Sequence, residues 1–198
     1  MNLWRQDDRV RRFVFGRRLA RVAAELLGVR GVRLYHDQAL YKEPSGGVTP
    51  WHADQYYWPL ASDRCCTAWI PLQDTPSDMG PLAFAVGSHR AALDRDLPIG
   101  DQSETALQEQ LDALSLRFAD EPFALGDVSF HLGWTFHRAG PNTTDQPRRV
   151  ITIIYMDADM RLAEPTNENQ ILDAETWCPG VGVGEVIDSP LNPVLYSG

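Results

Sequence analysis

The sequence changes character at about Val32, and this change constrains the fold more than any other feature. From there on, short apolar or alternating runs are separated by Gly, Pro, Asn and Asp residues, a pattern typical of many short strands. It favours a sandwich or barrel over a sheet whose strands are joined by helices. The runs are VRLYHDQALY, CCTAWIPL, GPLAFAV, FALGDVSFHL, WTFH and RRVITIIYMDA. The sequence therefore predicts a mainly β fold.

Two segments carry helical periodicity instead. In residues 17–28, apolar residues recur at helical spacing, and Gly28 predicts the end of the helix. A second helix is predicted over residues 103–115, with Ser103 as its N-cap. Its apolar stripe would consist of Leu107, Leu111 and Leu114. Residues 160–198 contain several prolines and glycines and little periodicity, so we expect an ordered tail or lid there.

Length and composition are those of an ordinary globular protein, and we expect one domain spanning residues 1–198. The formal net charge of -9 argues against nucleic acid as a partner, because phosphate binding needs a basic face. No run of about 18 apolar residues occurs, so no membrane span is expected. The basic N-terminal stretch is not followed by an apolar segment, which is unlike a secretory signal.

The cysteines are three in number: Cys65, Cys66 and Cys178. An odd count without the spacing of a disulfide framework predicts reduced thiols in a cytoplasmic protein. No Cys-x-x-Cys motif occurs, so a zinc ribbon or a thioredoxin-like site is unsupported. We interpret Cys65 and Cys66 as packing residues of a strand.

The triplet His52-Ala53-Asp54 is the first pattern that indicates chemistry. On a strand, alternate side chains point to the same side, so His52 and Asp54 can face one metal ion. A third ligand is available in His137, which lies in a later strand-like run. Two imidazoles and one carboxylate on one face, with open positions opposite, are the arrangement of mononuclear Fe(II) oxygenases.

Arg148 lies at the start of the run RRVITIIYM, shortly after His137. A guanidinium can bind a carboxylate through two parallel hydrogen bonds, which lysine cannot do. A 2-oxoacid that chelates iron through its keto-acid end leaves its far carboxylate in need of such a partner. Arg149 is the competing candidate, since adjacent strand residues point to opposite faces.

Four motifs in this order resemble the phytanoyl-CoA dioxygenase-like family of Fe(II)/2-oxoglutarate-dependent oxygenases. The similar region runs from about Val32 to Asp157. The motifs are WHADQYYW (51–58), MGPLAFAVGSH (79–89), GDVSFHLGWTFH (126–137) and RRVITIIY (148–155). The resemblance implies a double-stranded β-helix, or jelly roll, with a few flanking α-helices.

The resemblance also implies a ligand set and a reaction. It implies Fe(II) held by His52, Asp54 and His137. It further implies 2-oxoglutarate bound by Arg148, with Trp69 lining the co-substrate site. The implied reaction is hydroxylation, or a related oxidation, of a small organic molecule by dioxygen, with 2-oxoglutarate converted to succinate and carbon dioxide. Related halogenases have Ala or Gly at the position of Asp54, so we predict no halogenation.

The chain departs from the family pattern in two places. Many relatives have Ser or Thr two residues after the distal histidine, where Ala139 stands here, so that contact to the co-substrate must come from another residue. The candidates are Thr135, Gln38 and Tyr41. The first core strand is reached by about Val32, earlier than in most relatives, which fits either a compact member or a truncated product.

The triplet is surrounded by aromatic residues, among which we select Tyr57 and Trp58 as substrate-binding candidates. Ligand cavities are mostly apolar with a few polar anchors, which suits these two residues. The acidic composition argues mildly against a coenzyme A thioester, whose phosphates need basic partners. A secondary metabolite or an amino-acid-like molecule is at least as well supported.

Two other functions stay open: a cupin-type metal enzyme that does not use 2-oxoglutarate, and a non-catalytic binding module on the same fold. The remaining histidines are assigned no ligand role. We expect His89 to order a loop, and His131 to lie in the core or beside the ligands. His36 carries no prediction, and Asp127 is interpreted as a turn residue.

Overall fold

The computed structural model describes residues 1–198, and most of the regular structure is antiparallel β-sheet. The strands are β1 (Gly31–Lys42), β2 (Thr49–His52), β3 (Cys65–Pro71), β4 (Leu82–Ala85), β5 (Phe118–Ala119), β6 (Ser129–Leu132), β7 (His137–Ala139), β8 (Arg148–Asp157) and β9 (Val194–Ser197). The α-helices are α1 (Asp8–Val14), α2 (Arg17–Leu27), α3 (Asp101–Ala113) and α4 (Glu168–Trp177). Short 3-10 helices occur at Leu3–Arg5, Asp54–Tyr56, Ser77–Met79 and Ser88–Arg90.

The strands form two sheets. One has five strands in the order β6-β3-β8-β1-β9, and the other has four strands in the order β2-β7-β4-β5. Every pairing within them is antiparallel. The strands β1 to β8 are divided between the sheets as in a jelly roll. The predicted fold class, mainly β with a few helices, is therefore confirmed.

Alternation along β8 separates the outer face of the five-stranded sheet from its inner face. Ile151, Ile153 and Tyr155 pack on the outer face against buried alanines of α2. The alternate residues of β8 point inward, namely Arg148, Val150, Thr152 and Ile154. Each buried aliphatic side chain of this kind stabilises the fold by about 1.5–3 kcal/mol. A slip of one residue would expose the outer set, so the register that builds the inner face is strongly specified.

The helix predicted over residues 17–28 is confirmed as α2, and Gly28 ends it with a left-handed φ of 66°. The second helix, α3, begins earlier than predicted. Its N-cap is Gly100, and Ser103 lies inside the first turn, where its Oγ accepts from the Gly100 amide at 3.0 Å. The N-cap prediction was therefore wrong, because this serine hydrogen-bonds backwards from within the helix. Leu114 lies beyond the end of α3 and is 44% exposed, so it leaves the predicted stripe.

Residues 160–198 contain regular secondary structure that the expectation of an ordered tail or lid did not include. They contain α4 and the short strand β9, which pairs with the start of β1 at the edge of the five-stranded sheet. A helix near the N-terminus, α1, was also missed. The Asp7 carboxylate caps it by accepting hydrogen bonds from the amides of Arg9 and Val10. None of the helices has the length and apolar character needed to cross a membrane.

Candidate active site

The three residues predicted as metal ligands converge at the wall of the inner cavity. His52 ends β2 and His137 begins β7, and the two are partners in the register of those strands. Their ring centroids are 4.2 Å apart. Asp54 begins a 3-10 helix directly after β2. One possible ligand atom from each of the three side chains lies within 4.8 Å of the other two.

The triplet itself is only partly a strand, which differs from the geometry assumed for it. β2 ends at His52, and Asp54 belongs to the following 3-10 helix. Ala53 between them keeps an extended backbone, with φ -121° and ψ 129°. The alternation of a strand therefore continues for one more residue, and His52 and Asp54 point to the same side.

The two carboxylate oxygens of Asp54 have different surroundings. Oδ2 accepts a hydrogen bond from Thr67 Oγ1 at 2.9 Å and lies 3.3 Å from His131 Nε2. Oδ1 lies 3.8 Å from His52 Nε2 and 3.7 Å from His137 Nε2. One oxygen is thus held by the five-stranded sheet, and the other faces the two imidazoles.

Both imidazoles are held in the tautomer that a metal ligand needs. His52 Nδ1 lies 2.8 Å from the Pro50 carbonyl oxygen, and His137 Nδ1 lies 2.9 Å from that of Thr135. A carbonyl can only accept, so each Nδ1 carries the proton and each Nε2 keeps its lone pair.

Burial sets the charge of these groups at neutral pH. It lowers the pKa of His137 to about 3 and also lowers the pKa of His52, so both rings are neutral. Burial opposes ionisation of Asp54. The neighbouring His137, the hydrogen bond from His131 and the nearby His52 outweigh it and hold that pKa below its usual range. The site therefore presents two neutral imidazoles and one carboxylate.

A second group of polar side chains lies farther along the inner face. Trp69 and Thr152 are register partners on β3 and β8, and both line the cavity. Arg148 is 5% exposed, and its guanidinium carbon lies 5.5 Å above the Trp69 ring. It donates a hydrogen bond to the Gly80 carbonyl and does not itself line the cavity in this structure. Trp69 Nε1, Thr152 Oγ1 and Arg148 Nε are buried without a hydrogen-bond partner.

The cavity between the sheets has a volume of about 340 Å³. Its lining includes the predicted metal ligands, Trp69, and the substrate candidates Tyr57 and Trp58. Among the residues proposed to replace the missing hydroxyl at Ala139, only Gln38 lines it. Tyr41 is 57% exposed and pairs with exposed Arg149, so that candidate was wrong, and Thr135 does not line the cavity.

Several lining residues were missed from the sequence. His36 and His131 both line the cavity, and Thr67 does so beside Asp54. Alternation from Trp69 would have placed Thr67 on the same face, but nothing marked His36. His131 lies on β6 in the five-stranded sheet, whereas His137 lies on β7 in the other sheet, so they do not share one strand. Its contact with Asp54 confirms the expectation that it lies beside the ligands.

The remaining interpretations concern residues outside the site. Asp127 accepts from the Ala124 amide at 2.8 Å in a turn, as predicted. Cys65 and Cys66 are buried in β3, and all three cysteines are unpaired. His89 is the middle residue of the 3-10 helix Ser88–Arg90, where its carbonyl accepts a hydrogen bond from Arg95 at 2.8 Å.

A jelly roll that brings two histidines and one carboxylate together beside a cavity is the arrangement found in mononuclear non-haem iron oxygenases. Comparison with known proteins names the family. The profile of the phytanoyl-CoA dioxygenase family (PhyH) matches residues 2–150. The chain belongs to this family, which confirms the resemblance seen in the sequence.

Named relatives and solved structures agree with this assignment. A probable alpha-ketoglutarate-dependent hypophosphite dioxygenase of Stutzerimonas stutzeri is 31% identical over 134 residues, covering 65% of this chain and 46% of that protein. The epimerase SnoN, in complex with Fe3+, alpha ketoglutarate and nogalamycin RO, superposes with a TM-score of 0.81 at 27% identity, covering 98% of this chain and 77% of that one. The carbocyclase SnoK superposes with a TM-score of 0.79 at 28% identity, covering 98% and 74%.

The chain spans about half the length of the curated relatives it matches. The share is larger for the solved structures, at about three quarters of SnoN and SnoK. The similarity to these two structures extends over nearly the whole of this chain, so it includes both sheets and the site between them.

Proposed function

We propose that this protein is an Fe(II)- and 2-oxoglutarate-dependent oxygenase that oxidises a small organic molecule. The convergence of His52, Asp54 and His137 within 4.8 Å, at the wall of a cavity, is the observation that carries the proposal. Asp54 distinguishes the site from a halogenase-like one, because its carboxylate occupies the position where a halide would need room. We therefore expect hydroxylation or a related oxidation, and no halogenation.

The donor set fits iron. Two neutral imidazoles with Nε2 free, and one carboxylate with Oδ1 directed towards them, form a facial set that leaves positions open for other ligands. The carbonyls of Pro50 and Thr135 fix the ring orientations, and Thr67 fixes the carboxylate. These contacts prearrange the ligands.

The residues beside the metal site fit 2-oxoglutarate. Trp69 Nε1, Thr152 Oγ1 and Arg148 Nε are potential donors left buried without an acceptor. Such groups cost free energy unless a ligand satisfies them, and the far carboxylate of 2-oxoglutarate offers suitable acceptors. Arg148, which the Gly80 carbonyl holds through Nη1, would bind that carboxylate, with Trp69 forming the wall of the co-substrate site. When bound, iron and 2-oxoglutarate together supply the oxidising chemistry with dioxygen.

The structure also supports proposals about the domain organisation, the location and the partner of the protein. The last strand, β9, completes the sheet that β1 begins, which supports one domain over residues 1–198. All three thiols are unpaired and buried, which supports a reducing, cytoplasmic environment. The partner we propose is a small-molecule substrate in the cavity.

The test is the release of succinate from 2-oxoglutarate by the full chain, with Fe(II), ascorbate and air, measured with and without a panel of small molecules. We expect slow Fe(II)-dependent succinate formation that the true substrate stimulates. Asp54→Ala should lose most of it. Asp145→Ala is the matched control, because Asp145 is exposed and lies away from the cavity.

The same assay separates the alternatives. Binding of 2-oxoglutarate without any succinate across the panel would favour a non-catalytic module. A metal-dependent reaction that is indifferent to 2-oxoglutarate would favour a cupin-type enzyme. Equal succinate from the wild type and Asp54→Ala would show that Asp54 is not an essential ligand.

A further inference from the structure

The end of the cavity away from Trp69 has a chemistry that the reaction described above does not use. We define this region, the outer pocket, by His36, Tyr57, Trp58, Ile99 and Asp173, all of which line the cavity. Ile99 is 40% exposed, so this end approaches solvent. Two aromatic rings, one imidazole and one carboxylate are its polar and polarisable groups.

A β-bulge in β1 places two successive side chains at this pocket. The register of β1 against β8 shifts between Leu34 and His36, so Tyr35 is the additional residue. Leu34 packs on the outer face, whereas Tyr35 packs in the cluster that includes Trp58. His36 then also faces the cavity. Without the bulge, Tyr35 and His36 would point to opposite faces.

The bulge brings Tyr35 to Asp173. The Tyr35 hydroxyl donates to Asp173 Oδ2 at 2.7 Å, and no lysine, arginine or histidine forms an ion pair with this carboxylate. Burial raises the pKa of Asp173 to about 6. Its donors, the Tyr35 hydroxyl and the Trp177 indole, are both neutral, and neutral donors offset only part of the desolvation of a half-buried carboxylate, so the site is incomplete without a cation.

His36 supplies a second, independent observation. It is 1% exposed, lines the cavity, and its Nδ1 has no hydrogen-bond partner. Its ring lies between those of Trp58 and Trp177, at centroid distances of 6.3 and 5.3 Å. Burial lowers its pKa to about 3, so the imidazole is neutral and can complete a hydrogen bond with a polar group of a ligand.

The outer pocket lies within substrate reach of the proposed metal site. His36 pairs with Ile154, Ile154 with Thr67, and Thr67 contacts Asp54. His36 and Thr67 are thus two strand spacings apart on the same row, or roughly 10 Å. The helix α4, which carries Asp173, is also tied to the metal-site loop, since Gln170 Nε2 donates to the Tyr56 carbonyl at 3.0 Å.

We propose that the outer pocket binds the ammonium group of an amine substrate, with Asp173 as its counter-ion and the faces of Tyr57 and Trp58 as its wall. Aromatic faces attract organic cations, and a carboxylate beside them adds a charge-assisted hydrogen bond. The rest of the substrate then extends towards His52 and His137. This assignment rests on the proposed oxygenase function, whose substrate class it names.

The same residues disfavour an anionic group in the outer pocket. No lysine or arginine lines the cavity, and its carboxylates are Asp54 and Asp173. A phosphorus oxyanion of the kind named for the Stutzerimonas stutzeri relative would meet the Asp173 carboxylate, with which Met1, the N-terminal residue of the lining, forms no ion pair. This chain is therefore assigned a different substrate class from that relative.

The test compares three probes of similar size and different charge: 2-phenylethylamine, 2-phenylethanol and 3-phenylpropanoate. Each is titrated calorimetrically into the full wild-type chain with 2-oxoglutarate and no added metal. We expect the amine to bind at least about tenfold more tightly than the alcohol, and the anion to bind most weakly. Asp173→Asn should remove the preference for the amine. Glu175→Gln, an exposed change on the same helix, should leave it unchanged.

Two results would overturn the assignment: equal or weaker binding of the amine by the wild type, or an amine preference that Asp173→Asn retains. The comparison of the three probes on the wild type tests the amine preference even if the variant does not fold. Succinate release by the wild type is measured in parallel without probes. Succinate without amine preference would defeat only the substrate assignment, whereas amine preference without any succinate would defeat the oxygenase proposal.

Discussion

Thr67 donates a hydrogen bond to Asp54 across the gap between the five-stranded sheet and the loop that follows β2, with Oγ1 2.9 Å from Oδ2. Thr67 lies on β3 and Asp54 outside both sheets. The two histidines belong to the four-stranded sheet, so this contact holds the carboxylate from the other sheet. It leaves Oδ1 facing the two imidazoles.

Replacing Thr67 by Val should weaken metal binding, because the carboxylate loses the donor that orients it. We expect affinity for Fe(II) to fall about ten- to a hundredfold, and Thr67→Ser to restore most of it. Anaerobic titration of the two variants and the wild type measures this. Equal affinity in the Val variant would mean that His131 alone orients Asp54.

Removal of the Arg148 guanidinium should weaken binding of 2-oxoglutarate. Arg148→Ala leaves the far carboxylate buried and unpaired, which should cost about 2–5 kcal/mol of binding free energy. Arg149→Ala is the control, since Arg149 is exposed on the other face of β8. Titration of each variant with 2-oxoglutarate measures its affinity and shows which of the two arginines binds the far carboxylate. An effect in the control and none in Arg148→Ala would transfer the role to Arg149.

Gly80 should tolerate no side chain. Its φ is +70°, and an added Cβ would overlap the carbonyl oxygen of Gly140. Gly87 has a similar φ of +84° but open space around the same position. Gly87→Ala should therefore lose about 1–2 kcal/mol of unfolding free energy through backbone strain alone, and Gly80→Ala should lose more.

Urea unfolding of these two variants measures the difference directly. Because the Gly80 carbonyl accepts from Arg148, Gly80→Ala should also weaken 2-oxoglutarate binding, whereas Gly87→Ala should not. Equal losses of stability would show that the loop at Gly140 moves to make room.

The mainly β fold and the side shared by His52 and Asp54 could be predicted from local patterns, whereas the choice of His137 rested on the family resemblance, because its place beside them depends on the pairing of β2 with β7. The alternation that places His52 and Asp54 on one side extends over three residues, and the strands are apolar runs between turn residues. The roles of Thr67 and His131 depend on pairing between β3 and β6, which are distant in sequence. Asp173 is held at the cavity by a hydrogen bond from Tyr35, which occupies a bulge, and no periodicity signals a bulge.

Asp173 should make stability depend on pH. Its folded pKa is raised to about 6 from 3.8, so between these values the native state binds more protons than the unfolded state. The contribution of Asp173 to stability is therefore present at low pH and is lost as pH rises through about 6. Asp173→Asn lacks this titration.

The measurement is the free energy of unfolding of the wild type and Asp173→Asn in urea, at pH about 4 and about 7. The wild type should become less stable relative to the variant as pH rises. A difference that stays constant between the two conditions would show that this carboxyl is not destabilised by burial.

Anaerobic calorimetric titration with Fe(II) measures directly whether His52, Asp54 and His137 hold one metal ion. His89→Ala is the matched control, because it removes a histidine that does not line the cavity. We expect one Fe(II) per chain for the wild type and for His89→Ala, and no binding at this site for His137→Ala. Unchanged stoichiometry and affinity in His137→Ala would show that these three residues do not form the metal site.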